Sequence, residues 1–552
     1  MTNNILIDSF YQEWFDNPLW WFNASPSDDK YISEKYSELI NLDSPKPENI
    51  NNYKLIIKWI LIYDQLPRHV YRHRKQYANH IITYYLQKAI EITKQTLKFV
   101  DGPYSSYKIM SIREHCFMLM PYRHTYDPQY IFLVMPRIWS LIQRNDISNF
   151  DLNLLKRYLK ATYERCPLDQ SYWVQNINYG NNIEIQSIIK EILEFKPILG
   201  YCPTNIIPYS NDIYNEELVK HIYDIFENIN SNNIIVSLSG GVDSMCLSVC
   251  VCLLYSKFTN RNINIHLVHV NYTNRSTAYE EEAFVRSWAK YLNLPCHIRR
   301  ISEIKRANAM KFELRELYES YTRNVRYNTY KYVWYDQMNM PKNTLPLVML
   351  GHNKDDCFEN ILTNIVNQSK YDELQGMQLE GIQDNIRFIR PMLKIYKSKL
   401  HEFAKKYGIP HLPNSTPSWH SRGKIRENVK PVLLDWDSKS VDSFFSMSDI
   451  MKDMYNIMNT YVDTIINNIE YIDNNYYMKF MKSNIPSSPL MWRSLIYKLT
   501  NTIVSIKSLK NLEQRLSKYK NEGKYYGKVQ LTSTLQLDIS MSYKDDMIIM
   551  KL

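Results

Sequence analysis

The chain has no C-x-x-C cysteine pair, no apolar run long enough to cross a membrane, and no basic-then-apolar leader at its start. Each absence excludes something. The eight cysteines (Cys116, Cys166, Cys202, Cys246, Cys250, Cys252, Cys296 and Cys357) lack the spacing of a structural zinc site or of a secreted disulfide framework. Three of them fall in the apolar run after Ser244, where a small buried hydrophobe is the ordinary reading. With no spanning segment and no leader, the chain reads as a soluble protein of a reducing compartment, the cytoplasm. Two phosphate-binding signatures are missing as well. There is no G-x-x-x-x-G-K-S/T, so the common P-loop NTPases are not indicated. No G-x-G-x-x-G follows a strand, which argues against a dinucleotide oxidoreductase.

What is present is bulk and ordinary polarity. At 552 residues the chain is too long for one core, and two to four domains are expected. An apolar fraction of 45% and a charged fraction of 22% are those of a folded globular protein. Tyrosine is common, at 45 residues, beside many Asn and Ile. That bias matches an AT-rich coding sequence, so single Tyr and Asn residues carry no functional weight. The net charge of +10 is mild for this size, and its sign suits a polyanionic partner such as RNA without showing one.

The chain is organised around NIIVSLSGGVDS, Asn233 to Ser244. Ile234, Ile235, Val236 and Leu238 read as a short buried strand, and the apolar run after Ser244 reads as a buried helix. Strand, glycine turn and helix N-terminus in that order aim backbone N–H groups at one small volume. Gly240 and Gly241 let the main chain approach phosphate oxygens, and Ser239 and Ser244 add hydroxyls around Val242. Asp243 would repel a bare phosphate, so it reads as a Mg²⁺ partner or a holder of the loop. An ordinary tight strand-to-helix turn is the bland alternative.

Ahead of this lies a front end of long amphipathic segments with few strand-like runs, over about residues 1–205. Prolines 67, 121, 136 and 167 fit breaks or first-turn positions. Two clusters there mix charged and aromatic groups: Asp64, Gln65, Arg68, Tyr71 and Arg72, then Arg113, Glu114, His115, Tyr122, Arg123 and His124. They line a pocket or form a paired network joining helix ends. The network is favoured, because no metal spacing or nucleophile–base pairing stands out.

After the glycine turn the pattern alternates strand and helix to about residue 400, which argues a mostly parallel sheet with helices on both faces. Ser239, His269 and His352 fall at strand ends, where such sheets bind ligands. His352, Asp355, Asp356 and Glu359 gather at a helix start, where they could hold Mg²⁺ or orient an amine; a well-capped acidic helix start is the alternative. Arg323 and Arg326 share a helical face and could clamp phosphate, or simply be solvated. Beyond residue 400 a polar loop carries Arg422, Lys424 and Arg426 near Trp419 and His420, suited to an RNA backbone and a stacked base or to nothing special. The expected layout is a helical domain over 1–205, an α/β domain over 206–400, a basic substrate-side loop over 401–440, and a helical plus small-sheet region over 441–552.

These residues carry two resemblances. FYQEWF, YDQLPRHVYR and REHCFMLMPYRHTYD, within about residues 8–170, resemble a bacterial helical family of unknown function with a tetratricopeptide-like fold. Leu-Asp-Gln-Phe-Pro-Arg-Asn and Tyr-x-Pro-x-x-His-Ser recur in that family. Leu66 and His69 depart from the first motif, Leu119 and Thr125 from the second. SGGVDS resembles the phosphate loop of the PP-loop ATP-pyrophosphatase superfamily. An ordered set over about 232–433 is most similar to tRNA(Ile)-lysidine synthetases. It comprises His269-Val270-Asn271, Glu280 to Glu282, Arg323 with Arg326, His352 to Glu359, Gly376-Met377, Ile389-Arg390-Pro391, and Arg422 with Arg426. Asn414 and Gly423 depart from that pattern.

The second resemblance implies an ATP-dependent, Mg²⁺-assisted ligase that adenylates a tRNA cytidine and replaces AMP with free lysine. It implies nucleotide contacts at Ser239–Ser244, His269, Arg323 and Arg326. It implies catalysis by Asp243, His352, Asp355, Asp356 and Glu359, and substrate contacts at Arg390, Arg422, Lys424 and Arg426. Other PP-loop enzymes (an amide-forming ligase or a tRNA thiolase) and a non-catalytic tRNA-binding scaffold are the rivals. The missing cysteine pair speaks against thiolation. The oligomeric state is not indicated.

Overall fold

The computed structural model describes residues 2–44, 52–72, 78–100, 110–142, 144, 147–165, 173–180, 184–195, 211–229, 231–311, 313–366, 376–413, 421–472, 475–481, 488–522, 526–532, 535–542 and 547–552. Pro167, Asn414, Trp419 and His420 lie outside these. The front end holds α1 (Thr2–Asp16), α2 (Pro26–Tyr36), α3 (Tyr53–Ile60), α4 (Leu66–Tyr71), α5 (Ala78–Val100), α6 (Ile112–His124), α7 (Pro128–Ile142) and α8 (Asn149–Arg165). A short β1 (Val174–Ile177) follows, and α9 (Glu217–Glu227) leads into the α/β part. That part runs β2 (Asn233–Ser237), α10 (Val242–Cys252), β3 (Asn264–Asn271), α11 (Ala278–Tyr291), β4 (Cys296–Arg300), α12 (Arg315–Tyr332), β5 (Leu347–Met349), α13 (Lys354–Val366), β6 (Glu380–Gln383), β7 (Ile386–Ile389) and α14 (Lys397–Lys406). The rest is α15 (Lys430–Trp436), α16 (Ser440–Ile466), β8 (Glu470–Ile472), β9 (Asn475–Met481), α17 (Pro489–Thr500), α18 (Ile506–Glu522), β10 (Tyr526–Gln530), β11 (Gln536–Ser542) and β12 (Met547–Lys551). The architecture is thus a helical front end, a central α/β part with parallel strands and a small α+β end, the expected class.

The residues group into two compact units, and each mixes distant stretches of chain: Met1–Ile192 with His266–Pro346, and Leu193–Ile265 with Leu347–Leu552. In the first, one apolar core runs through α1 to α8 (Phe10, Trp14, Tyr36, Ile57, Phe117, Ile138, Leu155, Tyr158) and continues into Ile301, Ile304, Tyr318, Tyr321 and Val325. Tyr163 of α8 and Tyr321 of α12 meet ring to ring at 4.4 Å. Local signals shape these helices. Ser25 and Asp28 form a reciprocal cap on α2, as Ser111 and Glu114 do on α6. Pro67 sits in the first turn of α4, whereas Pro121 and Pro136 lie inside α6 and α7 rather than at breaks. Helix α6 is held by burial of nearly all its residues, which outweighs one lost hydrogen bond, whereas Pro136 lies on the exposed face of α7 with Gln129, Leu133 and Ser140. In the same unit β3 pairs parallel with β4, and β1 adds antiparallel to β4.

In the second unit β5 lies between β2 and β7, parallel to both, and β6 returns antiparallel on β7. Ile234, Ile235 and Val236 are fully buried, as are Val348 and Met349 beside them. The end of the chain folds around its own core of Met478, Trp492, Leu495, Leu509, Leu512, Val529, Leu537 and Met550. Its sheet is antiparallel throughout, in the order β10-β11-β12-β9-β8.

A candidate nucleotide site at the glycine turn

Strand β2 ends at Ser237, and the chain turns through Leu238 to Gly241 into α10. The two glycines have different reasons to be there. Gly240 holds φ +85, a region that a side chain strains. Its carbonyl accepts Leu412 N–H at 2.9 Å, which pins the turn to the segment after α14. Gly241 is the N-cap at φ −72, and an added Cβ would meet only Ser239 Oγ at an ordinary 3.6 Å. Ser244 Oγ ties the turn internally: it receives Ser239 N–H at 3.1 Å, lies 3.0 Å from Ser239 Oγ and donates to Gly241 O at 3.1 Å. The amides of Val242, Asp243 and Ser244 open α10 and by position have no carbonyl one turn back. They carry the positive end of the helix.

A third glycine closes the arrangement. A Cβ on Gly351, just past β5, would stand 3.0 Å from Ser244 N, 3.1 Å from Asp243 C and 3.2 Å from Ser244 Cα. All three are main-chain atoms, so the start of α10 and the end of β5 touch through bare backbone. Asn353, fully buried, links the same elements by side chain. Its Nδ2 donates to Asp243 Oδ1 at 2.9 Å, and its Oδ1 accepts Asp356 N–H at 3.0 Å. Asp356 Oδ2 returns the bond to Asn353 N at 3.1 Å, completing a reciprocal cap on α13. Asp243 also faces Lys397 Nζ at 3.4 Å. Burial raises the Asp243 pKa, with Lys397 opposing and Asp356 adding to the rise.

The carboxylates of α13 and the basic residues after α14 come together. Arg426 Nε and Nη2 hold Glu359 Oε1 at 2.9 and 2.7 Å, and Nη2 is 3.9 Å from Asp356. Glu359 is 2% exposed and its pKa is raised by burial, which outweighs the pull of Arg426. Asp355 accepts the Lys397 amide at 2.8 Å and pairs with Lys430 Nζ. Burial pushes its pKa up, but these two donors outweigh that and hold it below the usual range. Lys354 sits 4.2 Å over the Tyr396 ring and pairs with Asp442 at 2.9 Å.

Sequence reasoning placed His352, Asp355, Asp356 and Glu359 at one helix start and Asp243 at another, and in the second unit Asn353 links the two starts through Asp243 and Asp356. The structure also joins Arg426 to them, which the sequence had set apart as an RNA contact. Arg422 is half-buried and Lys424 exposed on the same segment, and Arg390 donates to Gln378 O at 3.0 Å. His269, Arg323 and Arg326 belong to the first unit. There His269 lies buried in β3 opposite Ile298 of β4, Arg323 is exposed and Arg326 half-buried on α12. Gly351, Asn353, Lys397 and Lys430 were missed. Two had signals: Asn353 and Asp356 keep the Asn-x-x-Asp spacing of a cap, and Lys430 follows Arg426 by one helical turn.

The set suits a magnesium ion that arrives with phosphates better than a resident one. Among the described residues no group of three or more metal-ligating side chains gathers. One half-buried carboxylate, Asp243, beside hydroxyls is what Mg²⁺ takes when phosphates and waters supply the rest. No described helix is long and apolar enough to cross a membrane.

A strand, a glycine turn and a helix N-terminus at the carboxyl ends of parallel strands form an arrangement suited to binding phosphate. Residues 214–433 match the family model of the PP-loop domain, and residues 9–149 match that of a bacterial protein of unknown function, DUF924. The chain therefore joins a PP-loop domain to a DUF924-like domain. Among curated proteins it is similar to the tRNA(Ile)-lysidine synthase of Staphylococcus aureus (strain MRSA252), 22% identical over 266 residues, or 47% of this chain and 58% of that one. The enzyme of the same name from Streptococcus pyogenes serotype M1 is 29% identical over 224 residues, 40% of this chain and 45% of that one. The chain spans about half the length of these relatives, and the relationship is distant. Among solved structures, a U34-tRNA thiolase from Methanococcus maripaludis aligns at a TM-score of 0.34 and 14% identity, over 44% of this chain and 82% of that one. That superposition is too weak to argue from.

Proposed function

We propose that this protein is an ATP-dependent, tRNA-modifying carbon–nitrogen ligase of the tRNA(Ile)-lysidine synthetase type. The observation that carries the reading is the turn Ser239–Ser244, with Gly240 at positive φ and Gly351 packed bare against the head of α10. Such a turn is built to receive oxyanions. Its amides and the Ser239 hydroxyl hold the pyrophosphate of ATP, with Ser244 bracing the turn from within, and Lys397 adds positive charge beside it. Asp243 would hold Mg²⁺, which when bound shields the phosphate charge.

The O2 of a tRNA cytidine attacks the α-phosphorus, and pyrophosphate leaves. The amine of free lysine then attacks C2, and AMP leaves. Asp356 suits the role of proton acceptor for that amine better than Asp355, whose charge is committed to Lys430 and to the Lys397 amide. Buried Glu359 and half-buried Arg426 act as a pair that fixes the segment after α14 against α13. His352 orients this group. Arg390, Arg422 and Lys424 would meet the tRNA backbone. These roles rest on the resemblance and on chemistry. The test incubates the full chain with bulk tRNA, ATP, Mg²⁺ and labelled lysine, followed by mass spectrometry of the nucleosides. A cytidine-derived nucleoside carrying the label is expected. Pyrophosphate release without that label would overturn lysine as the nucleophile; no release at all would overturn the ligase.

A further inference from the structure

The proposed ligase chemistry leaves the front-end helices without a role, yet one group of their charged side chains gathers around the buried Asp64. Asp64 lies on the wide turn Leu61–Gln65, where α-helical hydrogen bonding gives way to i→i+5 bonding for a single turn. Turns of this kind occur frequently at functional sites. The Asp64 side chain is fully buried and is approached from three sides. His124, at the end of α6, contacts both carboxylate oxygens through Nδ1, at 2.8 and 3.0 Å. Arg68, one turn along, donates Nε and Nη2 to Oδ1 at 3.3 and 3.1 Å. Gln65 Nε2 donates to Oδ2. The two clusters that the sequence shows as separate, around Asp64 and around His124, therefore meet at one carboxylate.

That carboxylate fixes the state of the imidazole. Burial opposes ionisation of Asp64, but His124 and Arg68 outweigh it and hold its pKa below the usual range. An ionised carboxylate only accepts hydrogen bonds, so Nδ1 carries the hydrogen. Burial pushes the His124 pKa down, and the pull of Asp64, shared with Arg68, does not restore it. The ring is neutral at pH 7, and Nε2 keeps a bare lone pair. Nε2 makes no hydrogen bond to any described residue, and the side chain retains 10% exposure, while that of Arg68 retains 28%. Asp64, Arg68 and the adjacent Arg123 sum to one positive charge. An imidazole positioned through Nδ1 by a buried carboxylate, with its far nitrogen open, is an acid–base arrangement.

We propose that Asp64, His124 and Arg68 form a second site, within the helical unit, that takes a small anion bearing its own O–H donor. His124 Nε2 accepts that hydrogen, and Arg68 offsets the ligand's charge. Asp64 is a positioning residue that sets the tautomer. Two groups carry both features: a phosphate, whose P–OH remains at neutral pH, and a 2-hydroxycarboxylate. The site owes nothing to ATP or tRNA, so it stands or falls apart from the ligase.

The test uses the full chain and diethyl pyrocarbonate, a reagent that acylates reachable, unprotonated imidazole nitrogens, with labelled residues mapped by mass spectrometry. His124 should be labelled at pH 7, ahead of the buried His69 and His115. Inorganic phosphate or lactate should slow that labelling about tenfold, the scale of one charge-assisted hydrogen bond. Acetate, which lacks the hydroxyl, and chloride at matched ionic strength should not. Protection by phosphate alone assigns a phosphate ligand, and protection by lactate alone assigns a hydroxy acid. Arg68→Lys should keep the labelling rate and lose most of the protection. Asp64→Asn should slow labelling by freeing the tautomer; where that variant fails to fold by circular dichroism, the Arg68→Lys arm decides. An unlabelled His124, or protection equalled by acetate or chloride, overturns the proposal.

Discussion

Gly351 makes the glycine turn possible from outside it. Three main-chain atoms of α10 lie 3.0–3.2 Å from where its side chain would begin. Gly351→Ala therefore pushes the head of α10 away from β5. The cost is expected at about 1–3 kcal/mol in urea unfolding, the range for an overpacked site. ATP uptake measured by calorimetry should weaken about tenfold, since the amides lose their aim. Undiminished ATP affinity would separate the turn from phosphate binding. Glu282 of α11 gives a residue-level prediction of another kind. Burial raises its pKa, but Arg300, Asn271 and Arg286 outweigh that and bring it down to about 2. Its folded pKa lies below the unfolded one, so the stabilisation is complete above about pH 4.5 and is lost as pH falls towards 2. With Arg300 half exposed, Glu282→Gln should cost on the order of 2 kcal/mol at pH 7 and almost nothing near pH 2, read by thermal unfolding across pH.

The start of α13 does two jobs with one side chain. Asn353 caps the helix and holds Asp243. Asn353→Ala should lose about 1–2 kcal/mol, the worth of a cap plus a buried bond. Asn353→Asp can still cap but sets a carboxylate against Asp243, so it should recover part of the stability and none of the grip on Asp243. Equal stability of the two variants would mean that the cap contributes nothing. At this scale the sequence was informative where burial forces a period. β2, β3, β4 and β5 are buried on most positions, and their apolar runs stand out. β1 and β8 do not, because a strand showing half or all of its residues to water leaves no apolar trace. The glycine turn was legible because its chemistry is local. The pairs Glu359–Arg426 and Asp355–Lys430 were not, since 67 and 75 residues separate the partners and either half alone looks like an ordinary charged surface.

Across the whole molecule, chain order and packing order differ. The front-end helices share a core with Ile301, Ile304, Tyr318, Tyr321 and Val325, which come from beyond the glycine turn. A protein begun at residue 206 would strip the cover from that face of α12. It should come out insoluble, or bind an environment-sensitive dye such as ANS far more than the full chain does. A soluble, dye-silent fragment that takes up ATP as the full chain does would show that the shared core is dispensable. The arrangement also bears on how such a gene can change. Where two stretches so far apart in the chain fill one interior, neither can be traded as a cassette. A recombination joint at residue 200 would hand the new neighbour an unfinished surface, and only a partner already shaped to Tyr318 and Tyr321 could complete it.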